Sequence, residues 1–129
     1  MTNRVVRVLR VRILVGLALD AGLICLFAAI GRHNHGETSS LLGVASTAWP
    51  FLAGMTAGWL ACLLAAGRAP LRTADGMTVL VGTVAVAMVL RAMTNAGTAL
   101  SFIAVATAFL GAGLLGWRAL ATLPMSRRA

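Results

Sequence analysis

Four long apolar runs constrain what this chain can fold into. They cover residues 13–31, 41–66, 77–93 and 99–117, and a helix needs about 20 apolar residues to cross the hydrocarbon core of a bilayer. Only 11% of the residues are charged, and the mean hydropathy is +0.92. A soluble domain of 129 residues has too little interior to bury that much apolar surface. The composition therefore excludes a soluble domain, and it equally excludes a disordered chain.

The runs predict helices rather than strands. They lack the alternation that a membrane β-barrel requires, and helices are the other structure that satisfies every backbone hydrogen bond in lipid. We therefore predict an all-α fold, in which residues 1–129 form a single membrane domain. This domain is an integral membrane four-helix bundle with transmembrane helices at about 13–31, 48–66, 77–93 and 99–117.

The second run is too long for a straight crossing and contains Trp49-Pro50. Proline fits the first turn of a helix or kinks its interior. We interpret residues 41–48 as a turn on the membrane surface or a tilted lead-in, with the span beginning near Trp49. A single kinked helix is the alternative.

The basic residues predict the orientation of the bundle. Nine of the eleven arginines lie in the two tails and the second loop, whereas Arg32 and Arg91 lie on the other side. The excess of positive charge marks the cytoplasmic side, which gives an N-in/C-in protein of the bacterial plasma membrane. The net charge of +8 then contacts anionic lipid headgroups, and no nucleic acid is expected, because the arginines lie at the ends of apolar runs.

Asp20 is the only acidic residue inside a predicted span. An ionised carboxylate there is costly, so it should face inward and find a partner or stay protonated. At the helical rise, Asp20 lies ~12 Å above Arg12, and Arg91 lies ~21 Å along the third span. The gap is close to the combined reach of the two side chains, so Arg91 is the predicted partner. Arg118 is the competitor from the cytoplasmic side, and a neutral Asp20 bonded to a threonine or a backbone carbonyl is the third possibility.

A polar cluster is predicted on the outer face, in the first and third loops. It comprises Arg32, His33, His35, Glu37, Asn95 and Thr98. The two histidines and Glu37 alternate, but three ligands from five residues support a metal site only weakly, so we predict neither a metal nor a cofactor. Thr98 is the predicted N-cap of the fourth helix, whose N-terminus beside Arg91 could hold an anion. The interpretation we favour is an ordinary turn capped by Thr98, with the Arg91 side chain snorkelling to the membrane surface.

Small residues recur every four positions on two of the spans. They are Gly54 and Gly58 on the second span, and Ala104, Ala108, Ala112 and Gly116 on the fourth. Such residues let helix backbones approach closely in lipid. We favour packing inside the bundle as their role, with a homo-oligomer seam as the alternative.

Several motifs occur together in this chain. They are Phe27-Ala-Ala-Ile-Gly-Arg32-His33-x-His35-Gly-Glu37, Thr47-Ala-Trp49-Pro50-Phe51, Met88-Val-Leu-Arg91 and Leu115-Gly-Trp117-Arg118. With Asp20, they resemble the domain-of-unknown-function 3054 family of small four-helix bacterial membrane proteins, from about Leu14 to Leu120. The resemblance implies four helices in a membrane and no particular activity. It also implies that six residues belong to the family pattern: Asp20, Arg32, His35, Pro50, Arg91 and Arg118.

The chain carries no nucleophile and base pair, no glycine loop and no cofactor motif, so we do not expect an enzyme. The predicted function is that of a non-enzymatic membrane protein, an accessory or scaffolding subunit of a larger membrane complex. The alternative is a small transporter or channel for a proton, ion or small solute that uses Asp20 and Arg91. The expected partners are the lipid bilayer and either another membrane protein or a second copy of the chain.

Overall fold

A computed structural model describes residues 2–34, 36–37 and 40–123. These residues form four α-helices and no strand. The helices are α1 (Asn3–Asn34), α2 (Leu41–Ala66), α3 (Thr73–Met93) and α4 (Leu100–Ala121). Each is long and apolar enough to cross a membrane. The predicted all-α fold of four helices is confirmed.

The helices are arranged as a ring in chain order. The α2 and α3 helices share the most extensive backbone contact and α1 and α4 share the least, whereas among the described residues the backbones of α1 and α3, and those of α2 and α4, do not approach closely. Short connections between helices produce antiparallel neighbours. One end of the bundle, here called the basal end, carries residues 67–72 and the last turn of α4. The other, called the distal end, carries residues 36–37, 40 and 94–99.

The α2 helix is continuous from Leu41, with Pro50 buried inside it. The prediction of a separate surface turn over residues 41–48 is therefore wrong, and the single-helix alternative describes the structure. A continuous helix satisfies the backbone groups of this apolar segment internally, which a turn in lipid would not. The helix begins with the Gly43 N–H donating to the Ser40 hydroxyl at 3.1 Å. It ends at Gly67, whose left-handed φ of 71° suits a glycine C-cap.

The predicted N-cap of α4 at Thr98 is also wrong. The helix begins after Ala99, which makes no side-chain capping bond, and the Thr98 side chain is exposed. The segment before α4 is held instead by Arg91, whose Nε donates to the Gly97 carbonyl oxygen at 2.7 Å. This bond fixes the backbone at Gly97, one residue before Thr98.

Glycines bring α2 and α3 into backbone contact. A Cβ added at Gly54 would lie 2.5 Å from the carbonyl oxygen of Thr83, and one added at Gly58 would lie 2.8 Å from the Cα of Val79. Gly82 completes the crossing from α3, because a Cβ there would lie 3.0 Å from the Cα of Gly58. Gly54 and Gly58 thus pack inside the bundle, at its tightest helix pair.

The small residues of α4 behave differently. Ala104, Ala108 and Ala112 are exposed, and Gly116 is half-buried with nothing within 4 Å of an added Cβ. Packing inside the bundle is therefore the wrong interpretation for these three alanines. The α4 helix turns a different face inward, which carries Ala106, Leu110 and Leu114.

Four phenylalanines fill the distal half of the core, and we call them the phenylalanine cluster: Phe27, Phe51, Phe102 and Phe109. Phe27 is central, with ring centroids 5.3–6.0 Å from the other three. Edge and tilted contacts at such distances add to the stabilisation from burial. The cluster joins α1, α2 and α4 on the distal side of Asp20.

Gly54→Ala should destabilise the bundle. We expect a loss of about 1–3 kcal/mol in the free energy of unfolding, because the new Cβ meets backbone that has little room to move. Gly22→Ala is the matched control, since a Cβ there has nothing within 4 Å. Unfolding in mixed detergent micelles measures both, and equal midpoints for the two variants would contradict the close crossing.

Candidate functional site

Asp20 and Arg118 form an ion pair inside the bundle. Both side chains are 0% exposed. The Arg118 Nη2 lies 2.7 Å from Oδ2 of Asp20, and its Nη1 lies 3.0 Å from Oδ1. Two parallel charge-assisted bonds of this kind fix the orientation of both groups as well as their separation.

Two tryptophans complete the coordination of the Asp20 carboxylate. The indole Nε1–H of Trp59 donates to Oδ2 at 2.8 Å, and that of Trp117 donates to Oδ1 at 2.8 Å. The carboxylate therefore accepts four hydrogen bonds, two on each oxygen. Because Trp59 lies on α2 and Trp117 on α4, the one carboxylate of α1 joins three helices.

Arg118 also binds the basal loop and its own helix. Its Nε donates to the carbonyl oxygen of Pro70 at 2.8 Å, and its Nη1 donates to that of Leu114 at 2.8 Å. No buried side-chain nitrogen or oxygen lacks a partner among the residues that the structure describes. A buried charge is tolerated only when its hydrogen-bonding capacity is used in this way.

Glycines make room for these large side chains. A Cβ at Gly76 would lie 3.0 Å from Cδ of Arg118. One at Gly16 would lie 3.3 Å from the Trp117 ring and 3.4 Å from the Trp59 ring. Sequence reasoning missed both glycines and both tryptophans, although the tryptophans were visible as the indole donors nearest the basal ends of their helices.

The prediction that Asp20 pairs with Arg91 is wrong, and the carboxyl group is bonded to Arg118, Trp59 and Trp117 rather than to a threonine or a backbone carbonyl. The Arg118 competitor is the partner. The reason lies in the order of the ring, since α4 packs beside α1 whereas the backbone of α3 does not approach that of α1 closely. Arg91 turns to the distal end, where its guanidinium carbon lies 4.4 Å from the ring centroid of Phe102.

A second ion pair closes the basal loop. The Nη2 of Arg68 lies 2.8 Å from Oδ1 of Asp75, and its Nε lies 3.2 Å from Oδ2. This side-chain hydrogen bond raises the pKa of Arg68. Asp75 lies in the first turn of α3, where a negative charge is favourable because the helix dipole is positive there. Residues 67–72 are thus tied to α3 by Arg68 and to α4 by Arg118.

A cavity of about 760 Å³ lies at the distal end, and we call it the distal cavity. Its polar lining comes from Arg32, Glu37, Ser46, Thr47, Arg91 and Ser101, and its apolar lining includes Phe27, Ala28, Phe102 and Val105. The Nη1 of Arg32 donates to the Thr47 hydroxyl at 3.1 Å and lies 3.1 Å from a Glu37 carboxylate oxygen.

The predicted outer polar cluster is divided by the structure. Arg32 and Glu37 come together at the distal cavity with Arg91. The side chains of His33, Asn95 and Thr98 are exposed and do not line it, and His35 lies outside the described residues. Within residues 2–34, 36–37 and 40–123, no group of three or more histidine, cysteine or acidic residues could hold a metal ion.

Four helices of spanning length around a buried ion pair indicate a multi-pass helical membrane protein. The family described as "Protein of unknown function (DUF3054)" matches residues 17–121. The chain belongs to this family, so the resemblance found in its motifs is confirmed. Asp20, Trp59, Trp117 and Arg118 all lie within the matched segment. Neither a curated protein nor a solved structure matches the chain.

A double-mutant cycle tests the ion pair. Asp20→Asn and Arg118→Gln should each lower the free energy of unfolding by about 3–5 kcal/mol, because each leaves a buried charge without its partner. The double variant should recover part of the summed loss. Denaturation in mixed micelles gives the four free energies.

Arg91→Gln provides the control for this cycle. Combined with Asp20→Asn, it should give strictly additive losses, since the two residues share no contact. Additive losses for Asp20→Asn with Arg118→Gln would contradict the pair that the structure contains.

Proposed function

We propose that this protein is a non-enzymatic accessory or scaffolding subunit of a larger membrane complex, in the bacterial plasma membrane with both termini in the cytoplasm. The observation that carries the proposal is the saturation of Asp20. Its carboxylate is 0% exposed and accepts four hydrogen bonds from three side chains. Such a group stabilises the relative positions of helices and has no free face for a substrate.

The same geometry argues against proton or ion transport through Asp20. A transport site needs a group that changes partners or meets water, and the partners of intramembrane charges in pumps lie along a polar path. Between Asp20 and the distal cavity the core is apolar and contains Ile24, Phe27 and Phe51. The transport mechanism that uses Asp20 together with Arg91 also loses its basis, because the two residues lie at opposite ends of the core.

The distal cavity is the observation that favours a transporter as the second candidate. It is open at one end of the bundle and has charged and hydroxyl groups on its wall. Phe27 and Phe102 line it, and the phenylalanine cluster lies between it and the Asp20 site. Transport would therefore require a large rearrangement of α1 against α4.

The surface of α4 supports a partner within the membrane. Only 17% of its most apolar stretch is buried, against 44% for α2. Ala104, Ala108 and Ala112 lie exposed on this helix, and small residues permit close approach of a second helix in lipid. We propose that the partner is another membrane protein, with a second copy of the chain as the other possibility. Anionic headgroups contact Arg4, Arg7 and Arg10, which are exposed in the first turns of α1.

Purification from native membranes in a mild detergent tests the accessory role. We expect a stoichiometric foreign membrane protein to copurify with this chain. Ala108→Leu should reduce its recovery at least several-fold, because the larger side chain prevents close approach. Ala85→Leu is the matched control, an exposed alanine on α3, and should keep the partner. A pure homo-oligomer that moves a solute in proteoliposomes would contradict the accessory role.

Cysteine labelling tests the orientation. In a variant whose native Cys25 and Cys62 are replaced by alanine, Asn95→Cys should react with an impermeant maleimide in intact cells. Thr122→Cys should react only after the membrane is permeabilised. Both positions are exposed, so access across the bilayer is what differs. Reversed labelling would contradict the positive-inside argument.

A further inference from the structure

The distal cavity combines one charged end with apolar walls. Its volume of about 760 Å³ lies within the ~300–1,000 Å³ that is usual for small-molecule sites. The charged side chains on its lining are Arg32, Arg91 and Glu37, which leave one net positive charge. A ligand that matches this charge carries a single anionic group.

Arg91 is placed to receive that group. Its Nε is held by the Gly97 carbonyl oxygen at 2.7 Å, and its guanidinium lies against the Phe102 ring. The structure gives its two Nη atoms no hydrogen bond to any described residue. These atoms remain available for the bidentate contact that guanidinium groups make with carboxylates and phosphates. Ser46 and Ser101 supply hydroxyl groups on the same lining.

The walls below Arg91 fit a hydrocarbon chain. The α1 helix contributes Phe27 and Gly31, and α4 contributes Phe102 and Val105. Because α1 and α4 are the least closely packed neighbours, the cavity lies in the loosest seam of the bundle. Val105 is 60% exposed although it lines the cavity, so the seam is open on its outer side, where lipid chains lie. A small hydrophilic anion would make no favourable contact with these apolar walls.

We propose that the distal cavity binds an acidic amphiphile, with its carboxylate or phosphate at Arg91 and its hydrocarbon chain between α1 and α4. The site does not depend on the accessory role, since neither Ala108 nor the Asp20 pair takes part in it. Two sources supply this chemistry, namely a single-chain fatty acid and an anionic phospholipid of the bilayer. They share the anionic head and the acyl chain, and competition distinguishes them.

Binding is measured with the fluorescent fatty acid cis-parinaric acid and the protein in phosphatidylcholine nanodiscs. We expect saturable binding that oleate or phosphatidylglycerol displaces, whereas inorganic phosphate does not. Arg91→Gln should weaken the affinity about tenfold or more, because a hydrogen-bonded charge pair is lost. Arg72→Gln is the matched control, an exposed arginine of the basal loop, and should bind as the unaltered protein does.

A second variant tests the binding site of the ligand's hydrocarbon chain without changing any charge. Gly31→Leu should fill the wall of the cavity and weaken binding of cis-parinaric acid several-fold. Gly22→Leu is its control on α1, since a Cβ at either glycine has nothing within 4 Å and Gly22 does not line the cavity. Displacement by oleate alone or by phosphatidylglycerol alone supports the site and identifies the source. Unchanged affinity in both Arg91→Gln and Gly31→Leu, or equal displacement by inorganic phosphate, would overturn it.

Discussion

The rest of the structure is arranged around the ion pair between Asp20 and Arg118. A charge inside a lipid-embedded bundle costs several kcal/mol unless it is paired and hydrogen-bonded. Here the carboxylate and the guanidinium satisfy each other, and two indoles and two backbone carbonyls take up the remaining capacity. Because these partners come from α1, α2, α4 and the basal loop, satisfying one charge sets the relative position of most of the chain.

The two halves of the ring differ in how they are held. On one side, Gly54, Gly58 and Gly82 bring α2 and α3 to backbone contact, so that pair is stabilised by close packing of the two backbones. On the other side, α1 and α4 share little close backbone packing, and they are joined by the Asp20 site and by Phe27 against Phe102 and Phe109. The distal cavity lies in this loosely packed seam, where Phe27 and Phe102 line it.

The fold could be predicted from sequence because lipid permits so few structures. Apolar runs of spanning length must be helices, so the number of runs in the sequence gives the number of helices. The bounds of the helices could not be predicted in the same way, because α1 continues to Asn3 through arginines that lie outside the apolar run. The prediction of Arg91 as the partner of Asp20 is wrong for a similar reason. Heights along separate helices say nothing about which helices are neighbours, and a ring order that separates α1 from α3 excluded Arg91 whatever its height. Packing likewise determines which face of α4 turns toward the bundle. The recurrence of alanine every four residues therefore could not show whether those alanines face inward or outward.

A buried ion pair is a poor source of stability compared with apolar side chains of the same volume. What the ion pair adds is a specific register between the helices. Leucines in place of Asp20 and Arg118 could slide by a turn at little cost, whereas a carboxylate with two donors on each oxygen is satisfied in one register. That register also decides which face α4 turns to the bundle, and thereby exposes Ala104 and Ala108 while placing Phe102 and Val105 along the distal cavity. Val105 lies only about 60° around the helix from Ala108, so the surface proposed for a partner borders the wall proposed for a ligand, and the register of α4 orients both.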